Sequence, residues 1–264
     1  TAPDLIDYYM PENGVFHNLI MAKIKTFYPG HASQMMHAFW GVGQMSFVKH
    51  AVFVNEDAPL LTDHQGIMKH ILNRLNIDDM LVTKGVVDAL DHSSPKFAVG
   101  GKLGLDCTGD EITELGIILL KDNELLERMK AITSEVKDLK QYFTDTKNPI
   151  AVISVEKTRN QKYLFEDLKP LFEHIKILII VENNKNDVNN SYMLVWRVAN
   201  NIDSNRDLFI DGHTMCLDAT NKNAFDNFNR RWPDDVDCTK EVLDSLRERK
   251  ILDLSDEFIN KFYL

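Results

Sequence analysis

Nine histidines are the first side chains to weigh, because imidazole is both the commonest metal ligand and the acid–base group that titrates near neutral pH. His31/His37 and His64/His70 are each six residues apart. On a helix that spacing places two rings on different faces, where they cannot close on one ion. No H-E-x-x-H motif and no Cys/His cluster of zinc spacing accompanies them, so they read as core or solvated histidines and no metal is expected in the chain. Asp91-His92-Ser93-Ser94 holds the residue types of a hydrolytic triad. Residues adjacent in sequence rarely take up triad geometry, and the G-x-S-x-G elbow is missing. Gly100-Gly101-Lys102-Leu103 has the look of a phosphate loop but lacks the Ser or Thr after its lysine. Its amides could cradle an anion; a flexible surface loop is the alternative. Gly41-Val42-Gly43 lacks the third glycine of a dinucleotide fingerprint and follows a helix instead of a strand. The acidic pairs Glu56-Asp57 and Asp234-Asp235 stand at element ends, where caps and solvated turns account for them.

The elements that must position these groups follow from apolar periodicity. Leu19–Ile24, Ala51–Val54 and Met80–Thr83 read as strands, alternating with helices over His31–Met45 and from an N-cap at Asp63 to Leu75. That alternation is the mark of an α/β layer fold. Residues 86–108 read as a long loop, and Glu111–Ile132 as a charged helix. The pattern then restarts: strands at Pro149–Val155, Ile177–Val181 and Leu208–Ile210, helices at Tyr163–Ile175 and Asn190–Ile202. Residues 52–85 moved forward by 127 positions lie on 179–212 without a gap, and Leu105-Asp106-Cys107-Thr108 echoes Leu217-Asp218-Ala219-Thr220. The reading is a layered mixed sheet with flanking helices, in two tandem β-α-β-α-β copies. The expected divisions are 1–125 with the loop 86–108, 126–225 as a degenerate repeat, and a C-terminal helical tail over 226–264. In the tail, Thr239–Arg249 and Ser255–Phe262 are short amphipathic helices.

The chain has 264 residues with 40 acidic and 30 basic side chains, a net charge of −10. That balance argues against nucleic acid or an anionic membrane surface as main partner. Three cysteines without a C-x-x-C pair suit a reducing compartment, and no apolar run approaches a membrane span. Thr1 to Tyr9 reads as the tail of an element that starts upstream, so a piece of a longer protein is expected.

Several segments together resemble the UbiD family of decarboxylases. They are Ile24-Lys25-Thr26-Phe27-Tyr28-Pro29-Gly30-His31-Ala32, Met35-Met36, Trp40-Gly41-Val42-Gly43-Gln44-Met45, Phe47-Val48-Lys49 and Val52-Phe53-Val54-Asn55-Glu56-Asp57. Ala89-Leu90-Asp91-His92-Ser93-Ser94-Pro95, Gly101-Lys102-Leu103-Gly104-Leu105-Asp106, Leu217-Asp218-Ala219-Thr220-Asn221-Lys222 and Trp232-Pro233 continue the series. The order runs over residues 1–108 and resumes near 217–233, so residues 109–216 look like an inserted second copy. The resemblance implies non-oxidative decarboxylation of aromatic or α,β-unsaturated acids by prenylated FMN, held with a divalent metal and a monovalent cation. It implies a Glu–Arg–Glu/Asp proton network upstream of the matched region. No catalytic, cofactor-binding or metal-binding residue is therefore expected here, and the fragment alone is expected to be inactive. The resemblance further implies a lid and assembly domain working with its own N-terminal flavin domain, in a homo-oligomer supplied by a flavin prenyltransferase. Ubiquinone or menaquinone biosynthesis is the implied pathway, and the implied location is the cytoplasm or the membrane periphery. Phe16, His17 and Trp40 are the positions that alignment brings near the substrate pocket; an aromatic wall there would exclude water, while core packing is the alternative for Trp40. A free-standing scaffold that kept the fold without the activity is the other reading.

Overall fold

The computed structural model describes every residue except Thr1, Phe16, Leu115, Asp237, Tyr263 and Leu264. The first half forms β1 (Leu5–Tyr9), β2 (Leu19–Ile24), β3 (His50–Val54), β4 (Leu81–Val86) and β5 (Val99–Cys107), with α1 (His31–Trp40) and α2 (His64–Leu72) in the crossovers. Their order in the sheet is β1-β2-β3-β5-β4. β2, β3 and β5 run parallel, and the edge strands β1 and β4 run antiparallel to their neighbours. The second half repeats this plan with β6 (Val136–Tyr142), β7 (Ile150–Val155), β8 (Ile177–Glu182), β9 (Leu208–Asp211) and β10 (Thr214–Asp218) in the order β6-β7-β8-β10-β9. Its helices are α3 (Asp122–Ile132), α4 (Gln161–Asp167), α5 (Ser191–Asn201) and α6 (Ser204–Asp207). The tail carries α7 (Lys240–Glu248) and α8 (Asp256–Lys261).

The two copies agree in small details that a shared generic pattern would not produce. β1 and β6 each carry a register shift, between Leu5 and Asp7 and between Val136 and Asp138. In both, the aspartate side chain accepts the next residue's amide at 2.8 Å. Asp63 caps α2 and Asn190 caps α5 by accepting a backbone N–H three residues on. Asp106 accepts from the amide and hydroxyl of Thr108 as Asp218 does from Thr220.

Side chains alternate across each strand, so the central strands serve two cores. Ile20, Ala22, Ile24, Ala51 and Phe53 pack under α1 with Met36 and Phe39. Ala151, Ile153, Val155, Leu178 and Ile180 pack with Leu125 and Met129 of α3 and Leu164 of α4. The opposite faces, through Met21, Val52, Val54, Val152, Ile177 and Val181, meet in one common core that also takes Ile67 and Ile71 of α2 and Leu194 of α5.

Four expectations change. Residues 99–107, expected within a loop, form β5, the longest strand of its sheet. Each unit has two strands more than the expected pattern, an antiparallel strand at its start and a further parallel one at its end. Helix begins at Asp122 and not at Glu111, and the helix expected over Tyr163–Ile175 is α4 followed by a 3-10 segment, Lys169–His174, opened by Pro170 near its start.

Candidate functional site

His17 stands in the turn that leads from the 3-10 segment Glu12–Gly14 into β2. Its carbonyl accepts the Lys49 amide at 3.1 Å, which stitches this turn to the start of β3. Its Nδ1 lies 2.6 Å from Asp88 Oδ2, and its ring centre 5.3 Å from that of Phe47. An ionised carboxylate only accepts, so Nδ1 carries the proton and donates to Asp88. The Asp88 carboxyl is held below its ordinary value by the Leu90 amide and by the bond from His17. Phe16 lies outside the described residues. Trp40, at the end of α1, is half-buried against the core under that helix, and its ring neighbour is His37. The two described candidates thus have separate surroundings. Trp40 Nε1 is buried without a hydrogen-bond partner among the described residues.

Behind Asp88 the connection between β4 and β5 is pinned from below. Lys49 Nζ donates to Asp91 Oδ1 at 2.8 Å and to Ser93 Oγ at 2.7 Å, with both charged side chains 1% exposed. Asp91 also accepts from Ser93 Oγ at 3.0 Å and from the Ser94 amide at 2.9 Å. Burial acts to raise the Asp91 carboxyl, but the charge and hydrogen bond of Lys49, with Ser93, outweigh it and the net shift is downward. His92 turns away to Asn201, at 3.2 Å. Asp91, His92 and Ser93 are therefore no triad; they are the anchor of a loop. Lys102 is buried beside them and donates to the carbonyls of Ser46 and Val48, both at 2.7 Å. Burial, then the neighbouring Lys49 charge, brings its amine down to about 7.

The glycine run 100–104 is not an anion cradle. It lies inside β5, paired with β4, and the Gly101 amide is bonded to Asp203 at 2.8 Å. Among the described residues no three His, Cys, Asp or Glu side chains gather as a metal site. The glycine run therefore does not fit a flavin phosphate. Of the acidic pairs, Asp235 joins Arg197 and Lys185, each at 3.0 Å. Sequence reasoning missed Asp88 and Lys49, and weighed Lys102 only as part of a possible phosphate loop. A signal existed for Lys49, a charge inside the apolar run Phe47–Val54 that burial forces to find a counter-charge.

No helix among the described residues is long and apolar enough to cross a membrane. A protein of Helicobacter pylori strain J99 is 51% identical over the whole chain, which makes up 43% of that relative's length. An Aquifex aeolicus protein is 38% identical over 40% of the chain and 22% of its own length. The chain thus spans less than half the length of the relatives it matches. Among solved structures, the UbiD-class enzyme HmfF from Pelotomaculum thermopropionicum in complex with FMN is 21% identical, with a TM-score of 0.37 over 43% of this chain and 25% of that one. The apo 3,4-dihydroxybenzoic acid decarboxylase of Klebsiella pneumoniae is 17% identical, with a TM-score of 0.35 over 47% of this chain and 29% of that one. The family model of the 3-octaprenyl-4-hydroxybenzoate carboxy-lyase C-terminal domain matches residues 1–107 and 117–231, and the chain belongs to that family.

Proposed function

We propose that this chain is the lid and assembly part of a UbiD-type decarboxylase of aromatic acids, with the cofactor held by the remainder of the longer protein. The observation that carries the reading is the family match over both halves, 1–107 and 117–231. The surface around His17 supports it: Leu90 is 90% exposed and Phe97 70% on the loop that carries Asp88, and Val15 is 56% exposed two residues before His17. Apolar side chains this bare, beside a buried ionic anchor, suit a face that another part of the protein covers. In its separate surroundings, Trp40 Nε1 is buried without a hydrogen-bond partner among the described residues, and a buried donor calls for an acceptor.

In this reading prenylated FMN with its divalent metal supplies the decarboxylation chemistry when bound to the flavin domain. This chain's part is to close over the mouth and exclude water with Phe16, His17 and Trp40. The protein assembles as a homo-oligomer, receives its cofactor from a flavin prenyltransferase, and acts on a polyprenylated hydroxybenzoate in ubiquinone or menaquinone biosynthesis. The test compares the 264 residues with the same chain extended upstream, measuring bound flavin and carbon dioxide release. Flavin and turnover only in the extended protein is the expected result; flavin or turnover in the shorter one overturns the division of labour. In the extended protein Trp40→Ala is expected to lower kcat about tenfold or more with a smaller effect on stability. Equal loss of both returns Trp40 to the core.

A further inference from the structure

The two copies are not equivalent at the mouth. In the second, β9 and β10 are joined by Gly212 and His213 alone, where the first has residues 87–98 between β4 and β5. The position two residues before β7, matching His17 before β2, is Asn148, which is fully buried and donates to Leu72 O and Leu75 O at 2.8 Å. The second copy thus has no loop to carry a partner for that position, and the position itself is plugged.

What the second copy has instead, together with the segment that follows it, is a grip on the first copy's loop. Arg230 Nη1 donates to Asp91 O at 3.2 Å, to Ser94 O at 2.8 Å and to Ser94 Oγ at 2.7 Å. Arg206 Nη1 donates to Ser93 O at 3.0 Å, and Ile202 O lies 3.2 Å from Ser93 Oγ, where it competes with Asp91 for the one hydroxyl proton. The Trp232 ring meets the His92 ring edge-on at 4.7 Å between centres, on the imidazole whose Nε2 is bonded to Asn201. Every residue from Asp91 to Ser94 is therefore held by the second copy or the segment that follows it. The hold reaches Asp88 through one backbone bond, from the Asp91 amide to the Asp88 carbonyl at 3.0 Å.

We propose that the second copy and the segment that follows it form a built-in positioning element, with Arg206 of α6 and Arg230 and Trp232 of that segment fixing loop 91–94 and through it the Asp88 carboxylate against His17. The tandem then carries one mouth, built by the first copy and set by the second with the segment after it. Its importance for turnover rests on the lid reading above, but its geometry does not.

The test uses the 264-residue chain and two readouts that involve no turnover: amide hydrogen exchange and the Asp88 carboxyl titration followed by ¹³C NMR. Arg230→Ala is expected to speed exchange over residues 88–94 about tenfold or more, as a carbonyl-binding cation is lost. Exchange in β7 and β8 stays unchanged, and the Asp88 midpoint rises toward the ordinary 3.8. Arg230→Lys recovers part of both effects. Unchanged loop exchange and Asp88 midpoint overturn the proposal, as does a uniform rise in exchange across both sheets. If Arg230→Ala does not fold, Trp232→Leu removes a ring contact alone, and the same two outcomes decide. A chain that fails this test leaves the lid reading untouched, and a failure of the flavin comparison leaves the loop coupling untouched.

Discussion

His50 opens β3 in the interior, with Nε2 lacking a hydrogen-bond partner among the described residues. Burial, then the Lys49 charge, lowers its pKa to about 3, against 6.5 for the free side chain. Between those values the unfolded chain takes up a proton that the folded chain refuses, so stability rises with pH across that window and is lost on acidification through it. A shift of that size corresponds to as much as about 5 kcal/mol. Urea unfolding from pH 7 to pH 4 is expected to show this loss, and His50→Gln to flatten it. An unchanged slope would mean that His50 gains a proton within the fold. The Lys49–Asp91 pair makes a second prediction. Removing one partner of a buried pair leaves the other charge uncompensated, so Lys49→Met is expected to cost about 3–5 kcal/mol. Lys49→Met with Asp91→Leu is expected to be the milder change, and chemical denaturation of the two variants checks it.

At the scale of elements, β5 shows why a central strand can be invisible in a sequence. Gly100, Gly101 and Gly104 lower strand propensity, yet the packing requires two of them. A Cβ on Gly104 would run into the Met36 sulfur, and Met36 is fully buried. A Cβ on Gly101 would lie 2.5 Å from Ser204 Oγ and 2.7 Å from Asp203 Oδ1, at the contact with α6. These glycines, singled out for a phosphate, serve the close approach of helix to strand. Gly104→Ala is therefore expected to destabilise by about 1–3 kcal/mol through overpacking, and thermal unfolding measures it. A neutral Gly104→Ala would show that Met36 has room to move. The polar strand β6 (V-K-D-L-K-Q-Y) escaped for another reason: as an edge strand it buries one face only, and its charges read as surface.

For the whole molecule the shared core decides behaviour. The helix end of each copy meets the strand start of the other: Asn148 binds Leu72 O and Leu75 O, while Asn18 donates to Asn200 Oδ1 at 2.6 Å and Asn200 to Asn13 O at 2.9 Å. With Ile67, Ile71, Leu194 and both sheet faces in one cluster, neither copy can unfold without exposing the other. Calorimetry of the 264 residues is expected to show a single transition; two resolved transitions would mean that the copies are stable separately. The tail differs, since no residue of α7 or α8 is buried, and its amides are expected to exchange before those of either sheet.

By itself the sequence determined the α/β alternation, the repeat at 127 positions, the cap at Asp63 and the family resemblance. All of these are local or periodic properties, carried by residues near one another along the chain. The pairing of His17 with Asp88 spans 71 residues, and the Arg230 hold on Ser94 spans 136. Nothing in local periodicity encodes such distances, because a hydrogen bond between remote segments is fixed by how two packed units meet. The sequence could therefore show that there were two copies, and only the tertiary structure could show that they differ: the first carries the long loop 87–98, and Arg206 of the second and Arg230 beyond it bond to that loop.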